Sequence, residues 1–541
     1  MRIGTSYKQH RDLDERWDAI VIGSGMGGLT VAATLSRVAK KRVLVLERHY
    51  TAGGFTHTFR RPGYEWDVGV HYIGEVNREG GGLRRAFDFL SDGQLHWADM
   101  GPVYDRIIVA DRSYDFVAGR EAFREKMQGY FPSEKAAIDG YLERIEQAVK
   151  TSQRFFAEKA MPSPISSVFG GMMRRPLLKE ARRTTRSVLE ELTSNQELIG
   201  VLTGQWGDYG LPPAQSSFFI HAAVARHYLE GAAYPVGGSS EIARTILPGI
   251  EASGGELVTN AEVEEILIEQ NEVTGVRLFD GRALRAPMVI SDAGAANTYG
   301  RLLRSGYPAR KRVESKLQRV TSSTAHLCLY VGLDGTAEEL GLSKTNLWVY
   351  NSPDHERELQ RFLQDPSAPF PLAYLSFPSA KDPSFEQRHP GHSTIEVLTV
   401  GPYDWFERWQ STSWKKRGEA YEAFKLGFEE RLLEVLYTHC PSTRGKVEIS
   451  ELSTPLSTRN FAGHPHGEIY GLSHVPDRFE QRWLRPRSPI QGLYLTGADV
   501  CTAGVAGALM GGVLSSTAIL GPKVMKEVFA RRGASAPKAS V

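Results

Sequence analysis

The stretch from Asp18 to Gly54 constrains this chain more than any other. Ala19 to Ile22 is a short apolar run with β-branched residues, the pattern of a strand buried on both faces of a parallel sheet. Gly23, Gly25 and Gly28 follow it with the spacing G-x-G-x-x-G at the turn into a helix. The first glycine allows a tight turn, the second lets a pyrophosphate approach the backbone, and the third allows close helix–strand packing. The helix N-terminus then offers free N–H groups and the positive end of its dipole to phosphate. A second apolar strand, Val43 to Leu46, ends in Glu47, 19 residues after Gly28 and at the usual place for an acceptor of ribose hydroxyls. Strand, turn, helix, strand and terminal acid in this order specify a dinucleotide-binding βαβ unit, where a lone glycine triplet would specify little.

That unit occupies a small part of a 541-residue chain, which is more than one hydrophobic core usually supports, so at least two domains are expected. A net charge of +2 gives no global signal for nucleic acid. Cys328, Cys440 and Cys501 are far apart and odd in number, which argues against a disulfide framework or a zinc site and points to a reducing, cytoplasmic compartment. His464 and His466 lack obvious further ligands, so no metal is expected. Met1 to Trp17 is polar and has no signal-peptide core. Ala503 to Leu520 comes closest to a membrane span, but its glycines and serines suit a buried, close-packed helix better.

Downstream of Glu47, Gly53-Gly54 and the segment Phe59 to Gly74, with Asp67-Val68-Gly69 and then Val70-His71-Tyr72-Ile73-Gly74, resemble the flavin amine oxidase superfamily. The likeness is to its carotenoid and retinoid branch, which includes phytoene desaturases, carotenoid isomerases and retinol saturases. Taken alone, the same segment reads as a hairpin turning at Pro62-Gly63. The resemblance recurs at Tyr234-Pro235-Val236-Gly237-Gly238 and the elements up to Gly294. It recurs again at Thr454 to Thr458, Gly467 to Leu472, and Gly492 to Asp499 followed by the small-residue run from Gly504.

The resemblance implies an α/β protein with a Rossmann-type (GR2-like) FAD-binding domain assembled from discontinuous segments, and a mixed α+β substrate domain. The expected FAD segments are 18–100, 234–296 and 447–526. The substrate segments are 101–233 and 297–446, with tails at 1–17 and 527–541. It implies FAD contacts from Gly23, Ser24, Gly25, Met26, Gly27, Gly28, Glu47, Arg48, Gly53, Gly54, Phe55, Val263, Gly497, Asp499, Gly504, Val505 and Ala506. There the backbone at Val263 pairs with adenine, Asp499 takes a ribityl or pyrophosphate group, and the helix after Gly504 faces the flavin.

No second glycine motif for NAD(P)H is present, so the electron partner is open. His71, Tyr72 and Tyr470 are the candidate proton donors or substrate positioners, with structural hydrogen bonding as the alternative for each. Glu65 and Asp67 can play such a part too, or form a salt bridge within the hairpin.

The function implied is FAD-dependent saturation or desaturation of carbon–carbon double bonds in a long apolar polyene, isoprenoid or acyl lipid. A cis–trans isomerase using reduced FAD is the first alternative, and a non-redox lipid-binding escort the second; the intact glycines, Glu47 and Asp499 speak against the escort. Ile165 to Leu192 alternates apolar residues with arginines and lysines. That pattern suits a basic amphipathic helix on an anionic membrane surface, here the inner face, or a helix whose solvated face is merely basic. Aromatics on the strands between Asn297 and Lys446 fit either a core or a tunnel for a long ligand.

Overall fold

The computed structural model describes residues 2–530. Its organising sheet has six parallel strands in the order Thr5–Ser6, Glu256–Thr259, Val43–Leu46, Ala19–Ile22, Val289–Ser291, Leu493–Leu495. Ala19–Ile22 and Val43–Leu46 are buried throughout, as double-sided burial of a parallel sheet demands. The chain leaves this sheet after Leu46, returns at residue 256, leaves again after Ser291 and returns at residue 493.

The helix Met26–Ala39 packs against Gly504–Leu520 across one side of the sheet. Their approach explains the small-residue run. A Cβ on Gly512 would lie 2.5 Å from Thr30 Cβ, and one on Gly511 would lie 2.2 Å from the Gly497 carbonyl oxygen. Leu29, Leu35, Leu509 and Val513 fill the seam and are buried; each such side chain contributes about 1.5–3 kcal/mol. No helix among the described residues is long and apolar enough to cross a membrane.

The excursions build a second layer. Seven strands run in the order Val447–Ser453, His326–Asp334, His392–Val400, Ala373–Ser376, Asn346–Tyr350, Val103–Val109, Arg112–Val117. All neighbours are antiparallel except Asn346–Tyr350 with Val103–Val109. Trp348, Tyr350 and Tyr374 are buried core residues of this sheet. Helices Lys135–Ala160, Ser163–Ala181 and Phe218–Tyr228 pack together beside it. The segment Thr58–Arg61 and Tyr64–Asp67 is a hairpin turning at Pro62-Gly63, with Gly63 at φ 83°.

Two tails differ from expectation. Residues 2–17 are packed on the nucleotide-binding sheet: Thr5–Ser6 is its edge strand, and Ile3, Tyr7, Leu13 and Trp17 are buried. These four residues are too widely spaced in a polar segment to show a periodicity. At the other end Lys523–Val528 is helical with Val528 buried, so the tail begins later than residue 527. The remainder expected there, 531–541, lies outside the described residues.

Candidate functional site

Strand register builds the site. Ile22 lies beside Leu46 and Ser291, and Ser291 beside Leu495. The next residue of each strand, Gly23, Glu47, Asp292 and Thr496, therefore falls in one row along the carboxyl edge of the sheet, where α/β sheets place their ligands. Gly23 has φ 97°, a conformation that favours glycine. A Cβ on Gly25 would stand 2.5 Å from Asp292 Oδ2, and one on Gly28 would stand 2.2 Å from the Gly23 carbonyl oxygen. Gly54, at φ 56°, would carry its Cβ 2.9 Å from Gly25 Cα. The glycines are thus required by close backbone approach.

Glu47 is buried and held by three donors. Its Oε2 accepts from the Ser24 N–H at 2.9 Å and the Ser24 hydroxyl at 2.6 Å, and its Oε1 from the His49 N–H at 2.8 Å. A carboxylate has about four acceptor positions, so Glu47 keeps room for a further donor. Asp292 lies in the stretch up to Gly294 that the resemblance covers, but nothing in its sequence surroundings gives it a role at the site. Burial pushes its carboxyl up to about 7, against the pull of the Gly28 and Gly25 N–H groups and with the push of Glu47 and Asp499.

Asp499 ties the re-entrant segments together. Its Oδ2 accepts from the Ala295 N–H at 2.7 Å and its Oδ1 from the Leu472 N–H at 2.9 Å. Beyond it begins the helix Gly504–Leu520, whose first turn no side chain caps. The helix Met26–Ala39 likewise starts without a side-chain cap and without an acid in its first turn. Two long helices therefore turn their positive ends to the same space, with the Asp292 carboxyl beside the Gly25 and Gly28 N–H groups of the first and no side-chain cap on the first turn of the second.

That space is a cavity of about 960 Å3, at the upper end of the usual range of about 300–1,000 Å3 for small-molecule sites. Of the residues expected at a cofactor, Gly23, Gly25, Met26, Glu47, Arg48, Gly53, Gly54, Phe55, Val263, Asp499, Gly504, Val505 and Ala506 line it. Ser24, Gly27, Gly28 and Gly497 stand behind the wall: Ser24 holds Glu47, and a Cβ on Gly27 would lie 2.5 Å from Gly497 Cα. The Thr496 hydroxyl, buried at the wall, has no hydrogen-bond partner among the described residues. Glycine cradle, acid, N-terminal helix ends and orphaned hydroxyl fit a dinucleotide.

The cavity continues into a more apolar chamber that includes Ile73, Ile220, Val224, Leu398 and Ile469. His71, Tyr72 and Tyr470 all line it. His71 Nδ1 lies 2.9 Å from Glu396 Oε2, without the alignment of a full hydrogen bond. Burial, with the nearby Lys381 charge, pushes His71 down to about 3, so near neutrality it is an uncharged imidazole. Burial pushes the Glu396 carboxyl up to about 8, against the pull of Lys381. Asp67 is buried beneath, accepting from Tyr234 and from the Ser239 N–H at 2.9 Å; burial and the Glu396 charge push it up to about 7. Its hairpin neighbour Glu65 forms ion pairs with Arg60 and Arg388.

Tyr470 donates its hydroxyl to the Gly207 carbonyl at 3.0 Å. Tyr72 stacks on Tyr228 at 4.1 Å and points its hydroxyl at Asp105 and Asp208. Burial raises both tyrosines well above their ordinary value, so neither gives up a proton readily. Asp105, Asp208, Lys381 and Glu396 are polar groups of this region that carried no sequence signal. Each comes from a separate strand or helix and acquires its meaning only by packing.

A parallel sheet with its ligand edge open, joined to an apolar chamber, defines a nucleotide-binding protein with room for an apolar ligand. Residues 26–520 match the flavin containing amine oxidoreductase family, and the chain belongs to it. It is 36% identical to the all-trans-retinol 13,14-reductase of Danio rerio over 95% of this chain and 88% of that one. It is 27% identical to the chloroplastic prolycopene isomerase of Arabidopsis thaliana over 90% of this chain and 80% of that one. Among solved structures, the cyclohexylamine oxidase of Brevibacterium oxydans shares the fold, with a TM-score of 0.59 and 16% identity over 95% of this chain and 99% of that one. The cofactor of this chain is accordingly a flavin.

Proposed function

We propose that this protein is an FAD-dependent oxidoreductase that adds hydrogen to, or removes it from, a carbon–carbon double bond of a long apolar polyene, isoprenoid or acyl lipid. The observation that carries this reading is one cavity joining the glycine cradle and the N-terminal ends of two helices to an apolar chamber. When bound, FAD supplies hydride exchange at its flavin ring. Gly23, Gly25, Gly53 and Gly54 would admit its pyrophosphate, Glu47 would take a ribose hydroxyl, and the backbone near Val263 would meet adenine. Asp499 and the first turn at Gly504–Ala506 would face the flavin end, where the helix dipole favours negative charge on the ring. The apolar residues of the chamber would exclude water from a bound lipid and position a chain that water would not solvate. The similarity to a retinol reductase supports this substrate class.

The similarity to an isomerase favours one second reading, a cis–trans isomerase that needs reduced FAD. One experiment separates the two. The reduced protein is incubated anaerobically with retinoids, carotenoids and unsaturated fatty acids, and products are weighed by mass spectrometry. Gain or loss of two hydrogens supports the oxidoreductase. A change in chromatographic retention without a change in mass supports the isomerase, and flavin-free protein unable to take up FAD sinks both.

We propose further that the protein works at the inner face of a membrane, from which an apolar lipid can be taken. The helix Ser163–Ala181 carries Ile165, Val168, Phe169 and Met172 on one stripe at helical spacing, with Val168 72% and Met172 71% exposed. Met172, Arg175, Lys179 and Arg182 border a surface depression beside it. Exposed apolar residues rimmed by cations suit a bilayer with anionic headgroups.

A further inference from the structure

Saturating a double bond takes a proton as well as a hydride, and the apolar chamber keeps that proton at one place. Tyr72 has one hydroxyl proton. Its oxygen lies 2.8 Å from Asp105 Oδ2 and 3.0 Å from Asp208 Oδ2. One proton does not serve two carboxylates well, so the group needs a second. Asp105 does not need it: Gln205 Nε2 donates to it at 2.7 Å and Asn346 Nδ2 at 2.9 Å, in addition to Tyr72. Three donors stabilise an ionised carboxylate. Asp208, by contrast, has Tyr72 as its one polar side-chain partner among the described residues, and it lines the cavity. The arrangement is satisfied when Asp208 carries the extra proton and donates a hydrogen bond with it to the Tyr72 oxygen, while the Tyr72 hydroxyl donates its hydrogen bond to Asp105.

Burial and the nearby Asp105 charge raise Asp208 well above the ordinary carboxylate range, in agreement with that assignment. Asp105 is raised by burial too, but its hydrogen bonds and the charge of Lys381 act against the rise. Lys381 donates to Ser376 Oγ at 2.8 Å and to Asn346, and so stands behind Asp105 and not beside Asp208. The turn that presents Asp208, Trp206–Asp208, is pinned by Tyr470, whose hydroxyl holds the Gly207 carbonyl.

We propose that Asp208, kept as a carboxylic acid by Tyr72 and Asp105, is the proton donor to the double bond of the substrate. This rests on the oxidoreductase reading above. A bound reduced flavin would supply the hydride, and with it the two electrons, to one carbon, and the π pair would move to its neighbour. That carbon takes the Asp208 proton, which turns from Tyr72 to the bound substrate, as the O–H bond breaks, leaving a carboxylate that takes a proton from solvent after product leaves. In the desaturating direction the same carboxylate accepts the proton. Tyr470 and Tyr72 are positioning residues in this scheme.

The test has two readouts. In flavin-free protein at pH 7, the infrared carbonyl band of protonated carboxylic acids is compared between wild type and Asp208→Asn. Wild type should show a component, shifted in D2O, that the variant lacks. With flavin bound, Asp208→Asn should lower kcat about 100-fold or more, the usual range for loss of a general acid, with flavin content and substrate KM unchanged. Asp208→Glu should recover part of the rate. An identical infrared band in the variant, or a kcat within a few-fold of wild type, overturns the proposal. Wild-type protein that forms no hydrogenated or dehydrogenated product overturns the oxidoreductase reading instead, and leaves the infrared comparison to judge the state of Asp208.

Discussion

Glu396 shows how a single buried residue sets the behaviour of this site. Its Oε1 accepts from the Asp67 N–H at 2.9 Å and its Oε2 faces His71. Burial lifts its pKa from 4.5 to about 8. The folded protein therefore holds a proton that the unfolded chain releases above about pH 4.5. Stability falls as pH rises through that window, by at most about 1.4 kcal/mol per unit, and levels off above about 8. Lys381 acts with the opposite sign: burial lowers it to about 7, so between there and 10.5 the unfolded chain binds the extra proton and stability rises with pH. Glu396→Gln keeps an acceptor for Asp67 and offers a donor to His71. It should flatten or reverse the loss of unfolding temperature between about pH 5 and 8 relative to wild type. A variant whose pH profile runs parallel to wild type would show that Glu396 is already ionised in the folded protein. None of this was legible in the sequence, because the pairing of His71 with a strand more than three hundred residues away is made only by the fold.

At the scale of elements, the helix Ser163–Ala181 shows what periodicity can and cannot reveal. The alternation of apolar and basic residues marked a surface helix. It did not reveal that Arg174 turns inward, where it is buried with Glu158 at 3.4 Å and the Phe479 carbonyl at 2.7 Å. Arg182 pairs with Glu480 and Arg183 with Glu191. Their partners lie on other elements, so the run of charge overstated the free basic face. The apolar stripe carries the membrane proposal more than the arginines do. Val168→Ser with Met172→Ser should reduce cosedimentation with phosphatidylserine-containing vesicles several-fold and leave flavin content unchanged. Arg174→Gln should instead destabilise the protein, by about 1–3 kcal/mol, because it removes one of the cations around buried Glu158, which keeps Arg485 at 3.3 Å, and the donor to the Phe479 carbonyl. Unaltered vesicle binding by the double serine variant would remove the reason for placing this helix in a lipid surface. The elements read best were those with a local code. Ala19–Ile22, Met26–Ala39, Val43–Leu46 and the helix from Gly504 were legible because strand burial, glycine spacing and small-residue packing are written in neighbouring residues. In the chamber, His71, Tyr72 and Tyr470 were reached through the family resemblance, while Asp105, Asp208, Lys381 and Glu396 had no such code.

For the whole molecule, the central fact is that one domain is assembled from segments of chain far apart in sequence, and Asp499 joins them. Its two oxygens receive the Ala295 N–H from the second visit to the sheet and the Leu472 N–H from the approach to the third. Asp499→Ala leaves both amides without a partner, at about 1–3 kcal/mol each if they remain dry. The cost arises in the apoprotein, before any cofactor binds. A ligand that binds only the folded state adds stability as RT ln(1 + [L]/Kd), so FAD should raise the unfolding temperature of wild-type apoprotein with concentration. Asp499→Ala should lower the starting temperature by a few degrees and also shrink the rise on adding FAD, since the cradle it weakens is the one FAD would occupy. Glu47→Ala should shrink the rise by weakening the ribose end of the cradle, with a smaller effect on the starting temperature. The two variants thus separate a residue that holds the segments together from one that chiefly meets the ligand. If FAD protects Asp499→Ala as well as wild type, the clamp at Asp499 is a feature of folding alone, and the flavin end of the cofactor is held by the first turn of the helix at Gly504.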